Sequence, residues 1–143
     1  MVVSSNAISD IEDEYFSCPV TLPSEDKSTW YHELYAHHNN VLAVYLYKTG
    51  SRTIGQPGAW IQPDGYIHSK YGWVKKVAGK LSVRGERLDG ESSRPFKVNY
   101  NDQLIRAGGI PGGFLFPDPG CWKITGKLAG EELSFVIEII DSN

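Results

Sequence analysis

From Val41 to Ile140 the chain consists of short runs rich in β-branched and aromatic residues, each cut off within a few residues by Gly, Pro or Asp-Gly. A helix needs an apolar stripe of period 3.6 sustained over ten or more residues, and no such repeat is present. Runs this short, punctuated this often, bury an apolar face only by pairing into sheets. Residues 41–47 form the first run, ended by Lys48-Thr49-Gly50. Residues 58–62 and 66–68 flank Pro63-Asp64-Gly65, where Pro presets φ for the turn and Gly takes its positive-φ position. Residues 71–77 follow. Residues 80–88 then alternate, with Leu81 and Val83 on one face and Ser82 and Arg84 on the other, and end at Asp89-Gly90. Residues 96–100 and 114–116 read as two more strands, separated by a Gly-rich stretch, 101–113, that reads as a loop.

The last hairpin is the clearest element. Trp122, Ile124 and Leu128 share one parity; beyond the turn at Gly130, Leu133, Phe135, Ile137 and Ile139 share another. Val136 and Ile140 are apolar too, which predicts that this strand is covered on both sides near its end. Strands of this number and spacing indicate an all-β, mostly antiparallel sandwich or barrel. The one helix candidate is 28–37, a short helix or a turn, with Ser28 as its cap and Trp30 and Leu34 one turn apart.

A chain of 143 residues fits one domain, which the absence of any linker places at 16–143, preceded by a mobile acidic segment at 1–15. The formal charge of −3 excludes a general polyanion binder, and no nucleic-acid partner is expected. The charge is unevenly spread. Residues 1–26 carry six acids and no Lys or Arg, whereas 70–97 carry eight basic side chains against three acids. No run of 18 apolar residues occurs, so no helical membrane span is expected. The first twenty residues lack a basic start and an apolar core, and read either as the beginning of a mature exported chain without its leader or as a plain cytosolic start.

Two cysteines remain to be placed. Neither Cys18 nor Cys121 has a second Cys or a His at metal-ligand spacing, and neither has a local base that would activate a nucleophile. They are either two unrelated buried thiols or a bridge closing a loop of roughly 100 residues, worth about 4 to 5 kcal/mol in the chain-entropy account. A bridge would require an oxidising compartment. Because Trp122 and Ile124 claim the inward parity, Cys121 is expected to face the other way or to sit at a strand start, unlike the core cysteine of an antibody domain.

Several segments, in order, carry a resemblance: Cys18-Pro-Val-Thr21, His37-His-Asn-Asn-Val-Leu42, Trp60-Ile-Gln-Pro-Asp-Gly65, Gly79-Lys-Leu-Ser-Val-Arg-Gly85, and Phe116-Pro-Asp-Pro-Gly-Cys-Trp-Lys-Ile-Thr-Gly126. The chain resembles a family of small exported bacterial proteins of uncharacterised function that pair a CPVT-type start with an FPxxGCWxVTG-type C-terminal hairpin. The resemblance covers about residues 18–140. It implies export, an immunoglobulin-like sandwich and a Cys18–Cys121 pairing that straps the N-terminal segment to the sheet, but no reaction. Relatives tend to have His-Gly-Asn-Gly where this chain has His37, His38, Asn39 and Asn40. Asn replaces Gly best at positive φ, so the same tight turn is expected here.

Catalytic signatures are missing from the sequence. His32-Glu33 and His37 are not a zincin motif, because histidines five apart point about 140° away from each other on a helix. Residues 72–80 have neither the spacing nor the Ser/Thr of a phosphate loop, and no Gly-x-Ser-x-Gly elbow occurs. Three constellations are left. His32, His37 and His38, with Glu33, are weak candidates for a metal or pH-sensitive site and otherwise read as exposed turn residues. Trp30, Tyr31, Tyr35, Trp60, Tyr66, Tyr71 and Trp73 offer stacking faces to a sugar or peptide unless they pack inside. The basic stretch around Trp73 offers cations to an anionic cell-wall polymer.

The reading that follows is an exported, non-catalytic binding or interaction module of the bacterial cell envelope, with Trp60, Trp73, Lys75, Lys76 and His37 as ligand-binding candidates and no cofactor. Its partner would be an anionic polymer, a sugar or an envelope protein. A loop-assembled hydrolase or metal-dependent enzyme, and a structural subunit completing a larger assembly through a sheet edge, are the alternatives.

Overall fold

The computed structural model describes residues 16–23, 35–100 and 105–142. The acidic segment 1–15, residues Trp30, Tyr31 and His32, and most of the helix candidate lie outside the described residues. The end of that candidate is strand, not helix: β1 (Tyr35–His38) pairs antiparallel with β2 (Leu42–Leu46). The Asn39-Asn40 turn joining them also departs from expectation. No residue of it has positive φ; instead Asn39 Oδ1 accepts from the backbone N–H groups of Val41 and Leu42 at 2.9 and 2.8 Å. The Asn side chain closes the turn that Gly would close by backbone freedom.

Twelve strands are present and no helix is found among the described residues. They form three four-stranded sheets around a shared apolar core. One sheet orders β1-β2-β6-β9, with β6 at Trp73–Lys75 and β9 at Gly108–Ile110. The second orders β4-β5-β10-β8, from β4 (Ala59–Ile61), β5 (Ile67–Lys70), β10 (Gly113–Phe116) and β8 (Lys97–Asn99). The third orders β3-β12-β11-β7, from β3 (Ser51–Thr53), β12 (Glu131–Ile140), β11 (Gly120–Leu128) and β7 (Ser82–Arg87). All pairs are antiparallel except β3 with β12, which is parallel.

The first two sheets meet at a corner. β5 runs into β6 through Tyr71-Gly72, and β9 runs into β10 through Pro111-Gly112, so two antiparallel neighbours break at the same level. Tyr71 N–H still donates to Gly112 O at 3.0 Å across the break. Pro111 has no N–H to give, and Gly112 sits at φ +152 where a Cβ would strike Tyr100, so the ribbon bends there. The stretch 101–113 is therefore not all loop: its end contributes β9 and this corner.

Trp73 is in the middle of the core, 1% exposed, with its ring 5.7 Å from Phe135 and 6.4 Å from Phe114. It seats against β11 only because Gly126 has no side chain; a Cβ there would lie 2.6 Å from Trp73 Cη2. Around it pack Leu42, Val44, Phe116, Trp122, Ile124 and Ile137, all buried.

Cys18 and Cys121 are bonded, their Cα atoms 5.5 Å apart. Cys121 is the second residue of β11 and is buried on the face opposite Trp122, as the parity predicted. Beyond the bridge, Thr21 N–H donates to Val136 O and Val136 N–H donates to Thr21 Oγ1, both at 2.8 Å. The strap thus pairs with β12 and shelters Val136, one of the two outward apolar residues on that strand; Ile140 remains 39% exposed.

Two outcomes follow from these features. Replacing both cysteines with Ala should lower unfolding free energy by about 3 to 5 kcal/mol in denaturant titrations, since the bridge closes a long loop. In the β11–β12 turn, Ala129 is held at φ 52 beside Gly130 at φ 80. Ala129→Asn should raise stability by roughly 0.5 to 1 kcal/mol, as Asn-Gly suits a turn of this type; an unchanged or lower midpoint would count against the assignment.

Candidate functional site

The four-stranded sheet β4-β5-β10-β8 turns one face to the core through Ala59, Ile67, Ser69, Phe114 and Val98 and the other to solvent. Register fixes what stands on the outer face. Trp60 lies opposite His68, His68 opposite Leu115, and Leu115 opposite Lys97, a row crossing all four strands. Neighbours in such a row have Cβ atoms about 5 Å apart and act as one surface. The Pro63-Asp64-Gly65 turn sets the register. Gly65 N–H donates to Gln62 O, Gln62 N–H to Tyr66 O, and Tyr66 N–H to Asp64 Oδ1.

Trp60 stacks on His68 with ring centroids 4.1 Å apart and planes 22° from parallel. One face of the indole is thus backed by imidazole, and the side chain remains 47% exposed. His68 beneath it is 5% exposed, and its Nδ1 has no hydrogen-bond partner among the described residues. Burial holds the His68 pKa below its ordinary value; the Gly58 backbone opposes that shift and the charge of Lys70 adds to it. The imidazole is neutral at pH 7 and serves as a flat apolar backing.

Tyr66 is 2% exposed and does not offer a stacking face. It anchors cations instead. Arg94 Cζ lies 4.1 Å and Lys97 Nζ 4.5 Å from its ring centroid, and Arg94 Nη1 also donates to Asp64 O at 3.0 Å. Lys70 stands one register step beyond His68 on the same face, its N–H bonded to Gly58 O. The ion pairs among the described residues are Arg84–Glu132 and Arg87–Asp89, so Lys70, Arg94 and Lys97 meet no carboxylate there. Three cations that meet no carboxylate among the described residues and one backed indole thus share a sheet face. Such a face attracts an anion that carries a flat apolar surface.

Of the ligand-binding candidates Trp60, Trp73, Lys75, Lys76 and His37, Trp60 alone is on this face. Trp73 belongs to the core, and Lys75 is 3% exposed with Nζ donating to Gly79 O at 2.8 Å. Both are therefore structural, contrary to expectation. Lys76 is exposed, but its Nζ is 2.6 Å from Asn39 O and 3.1 Å from His38 Nδ1. His37 Nε2 donates to Ser134 O at 2.9 Å, so that nitrogen carries its proton and has no lone pair for a metal. His38 Nδ1 accepts from the Lys76 ammonium. No group of three metal-ligating side chains occurs among the described residues. The sequence reading missed His68, Leu115, Lys70, Arg94 and Lys97 as a group. The Pro-Asp-Gly turn was the available signal, because a hairpin around it places His68 across from Trp60.

His68 gives a pH signature. Between its depressed folded pKa and the ordinary value near 6.5, the unfolded chain binds a proton that the folded chain does not, so stability falls as pH drops through that window. Urea denaturation at pH 7.5 and pH 5 should show a smaller loss for His68→Gln than for the parent chain. An equal loss in both would mean that His68 is not the group responsible.

Comparison with protein-family models, with characterised proteins and with solved structures found no match to this chain.

Proposed function

We propose that this protein is a non-catalytic binding module that works outside the cytoplasm, in the cell envelope, and holds an anionic carbohydrate polymer on the outer face of the β4-β5-β10-β8 sheet. The observation that carries the reading is the solvent-facing row Trp60–His68–Leu115–Lys97, flanked by Arg94 and Lys70, which have no ion partner among the described residues. A pyranose ring has one apolar face that lies flat on an indole, and its carboxylate or phosphate substituents pair with cations beside it. Trp60 supplies the first of these contacts and the three cations the second.

The compartment is supported by the Cys18–Cys121 disulfide, since such bonds persist in oxidising surroundings, and by the resemblance to exported bacterial proteins. The same reading takes the fold as a variant of the immunoglobulin-like sandwich, supported by its wholly β make-up and its covalent strap. The net charge of −3 disfavours indiscriminate polyanion binding, so selectivity must come from the local face and from ring stacking.

Affinity electrophoresis through gels containing polygalacturonic acid or neutral dextran tests this directly. Retardation by the acidic polymer alone, weakening as salt rises, is expected. Trp60→Ala and Lys97→Gln should each weaken retention about fivefold to tenfold. Equal mobility in both gels, or retention unaffected by either substitution, would overturn the proposal.

A further inference from the structure

The corner between the first two sheets holds an open groove of about 630 Å³, walled by the half-buried Tyr45 and Tyr47, backed by the buried Tyr71 and Trp73 and floored by the Gly72 and Pro111-Gly112 backbone, with Lys70 at its rim. Lys70 also belongs to the outer sheet face, one register step from the Trp60–His68 stack, so the groove continues the face already described.

Two features suggest that the space is an opening in its own right and not slack left by the bend. Gly72 and Gly109 both line it, yet neither has a backbone that demands Gly. A Cβ at Gly72 would meet only Tyr45 Cδ2 at 4.0 Å, and one at Gly109 only Trp73 O at 3.9 Å. Side chains would fit at both positions and would narrow the groove; their absence keeps it open. Gly112 differs, because its φ of +152 and the nearness of Tyr100 require Gly there. The second feature is an unsatisfied donor: the indole N–H of Trp73 is buried with no acceptor among the described residues, which is uncommon for a buried polar group.

The walls are rigid. Tyr47 meets Tyr71 edge to face at 5.4 Å, its hydroxyl donates to Lys70 O at 3.0 Å, and Arg52 Cζ lies 3.8 Å from its ring centroid. Burial raises the pKa of the Tyr47 and Tyr71 phenols in spite of the nearby Arg52 charge, so both stay neutral and the groove carries no anionic side chain of its own there. An aromatic groove with Lys70 at its rim, meeting no carboxylate among the described residues, matches one sugar-acid ring, its apolar face against Tyr45 and Tyr47 and its carboxylate on Lys70.

We infer that this groove is a second subsite for the ligand proposed above, an end pocket that takes one uronic-acid unit of the chain lying across Trp60; the inference rests on that reading. Extended backbone separates His68 and Lys70 by about 7 Å, a step that a single oligosaccharide covers.

The test is an NMR titration of the full ¹⁵N-labelled, disulfide-bonded chain with a tetramer of α-1,4-linked galacturonic acid, following the indole N–H signals of Trp60 and Trp73. Both signals should move along one isotherm. Gly72→Leu should suppress the Trp73 shift and weaken affinity about tenfold, one ordinary buried contact, while the Trp60 shift persists. Gly109→Leu should do the same from the opposite wall, which guards against misfolding of either variant alone. If Trp60 moves and Trp73 does not, the groove is no subsite although the sheet face still binds. If neither moves, the groove inference falls together with the reading on which it rests.

Discussion

The longest strand of this protein, β12, has β11 on one side and would present a bare row of backbone groups on the other. An unpaired edge of that length invites pairing with other chains. No full strand covers it; three separate pieces of chain satisfy every second residue. Asn39 Nδ2 donates to Glu132 O, His37 Nε2 to Ser134 O, and Thr21 N–H to Val136 O. Glu138 N–H then reaches Gly50 O, and Ile54 N–H reaches Ile140 O. The disulfide, the His-His-Asn-Asn turn and the short parallel strand β3 all serve this one edge. That explains why His37 is a structural residue and why the strap is tethered covalently: Thr21 must be held against β12 by something outside the small number of contacts the strap makes itself.

With that edge closed, the remaining sheets are free to present other surfaces. The corner at Tyr71-Gly72 and Pro111-Gly112 does two things at once. It directs β6 inward, so that Trp73 fills the core against Gly126, and it leaves β5 in a sheet whose far face looks outward. The aromatic and cationic side chains on that face are held by one another, Trp60 by His68 and the two cations by Tyr66. A site built this way loses little side-chain freedom when a ligand arrives, because its rotamers are already restricted.

Much of the strand plan was legible in the sequence, and the reason is length. β11 and β12 are long enough for period-2 alternation to declare the inward face, and turns such as Pro63-Asp64-Gly65 and Asp89-Gly90 mark their own positions. The three-residue strands β3 and β9 were not legible. Ser51-Arg52-Thr53 has no apolar pattern, and Gly108-Gly109-Ile110 has almost no side chains to form one. Both exist because a longer neighbour supplies the hydrogen-bonding partner. The end of the helix candidate was misread for a similar reason: Tyr35–His38 pairs with β2, and pairing outweighed a weak local pattern there.

The sequence by itself determined the all-β class, the final hairpin with Cys121 on its outward parity, and the tight turn that follows Trp60. These depend on alternation, on turn residues and on spacing, which act over a few residues. Only the tertiary structure decided that Trp73 is core while Trp60 is surface, and that Lys75 is buried while Lys70, Arg94 and Lys97 gather on one face. It likewise decided that His37 bonds to a carbonyl 97 positions away. Each of these outcomes depends on which sheet packs over which, and packing joins segments whose separation along the chain leaves no trace in local pattern.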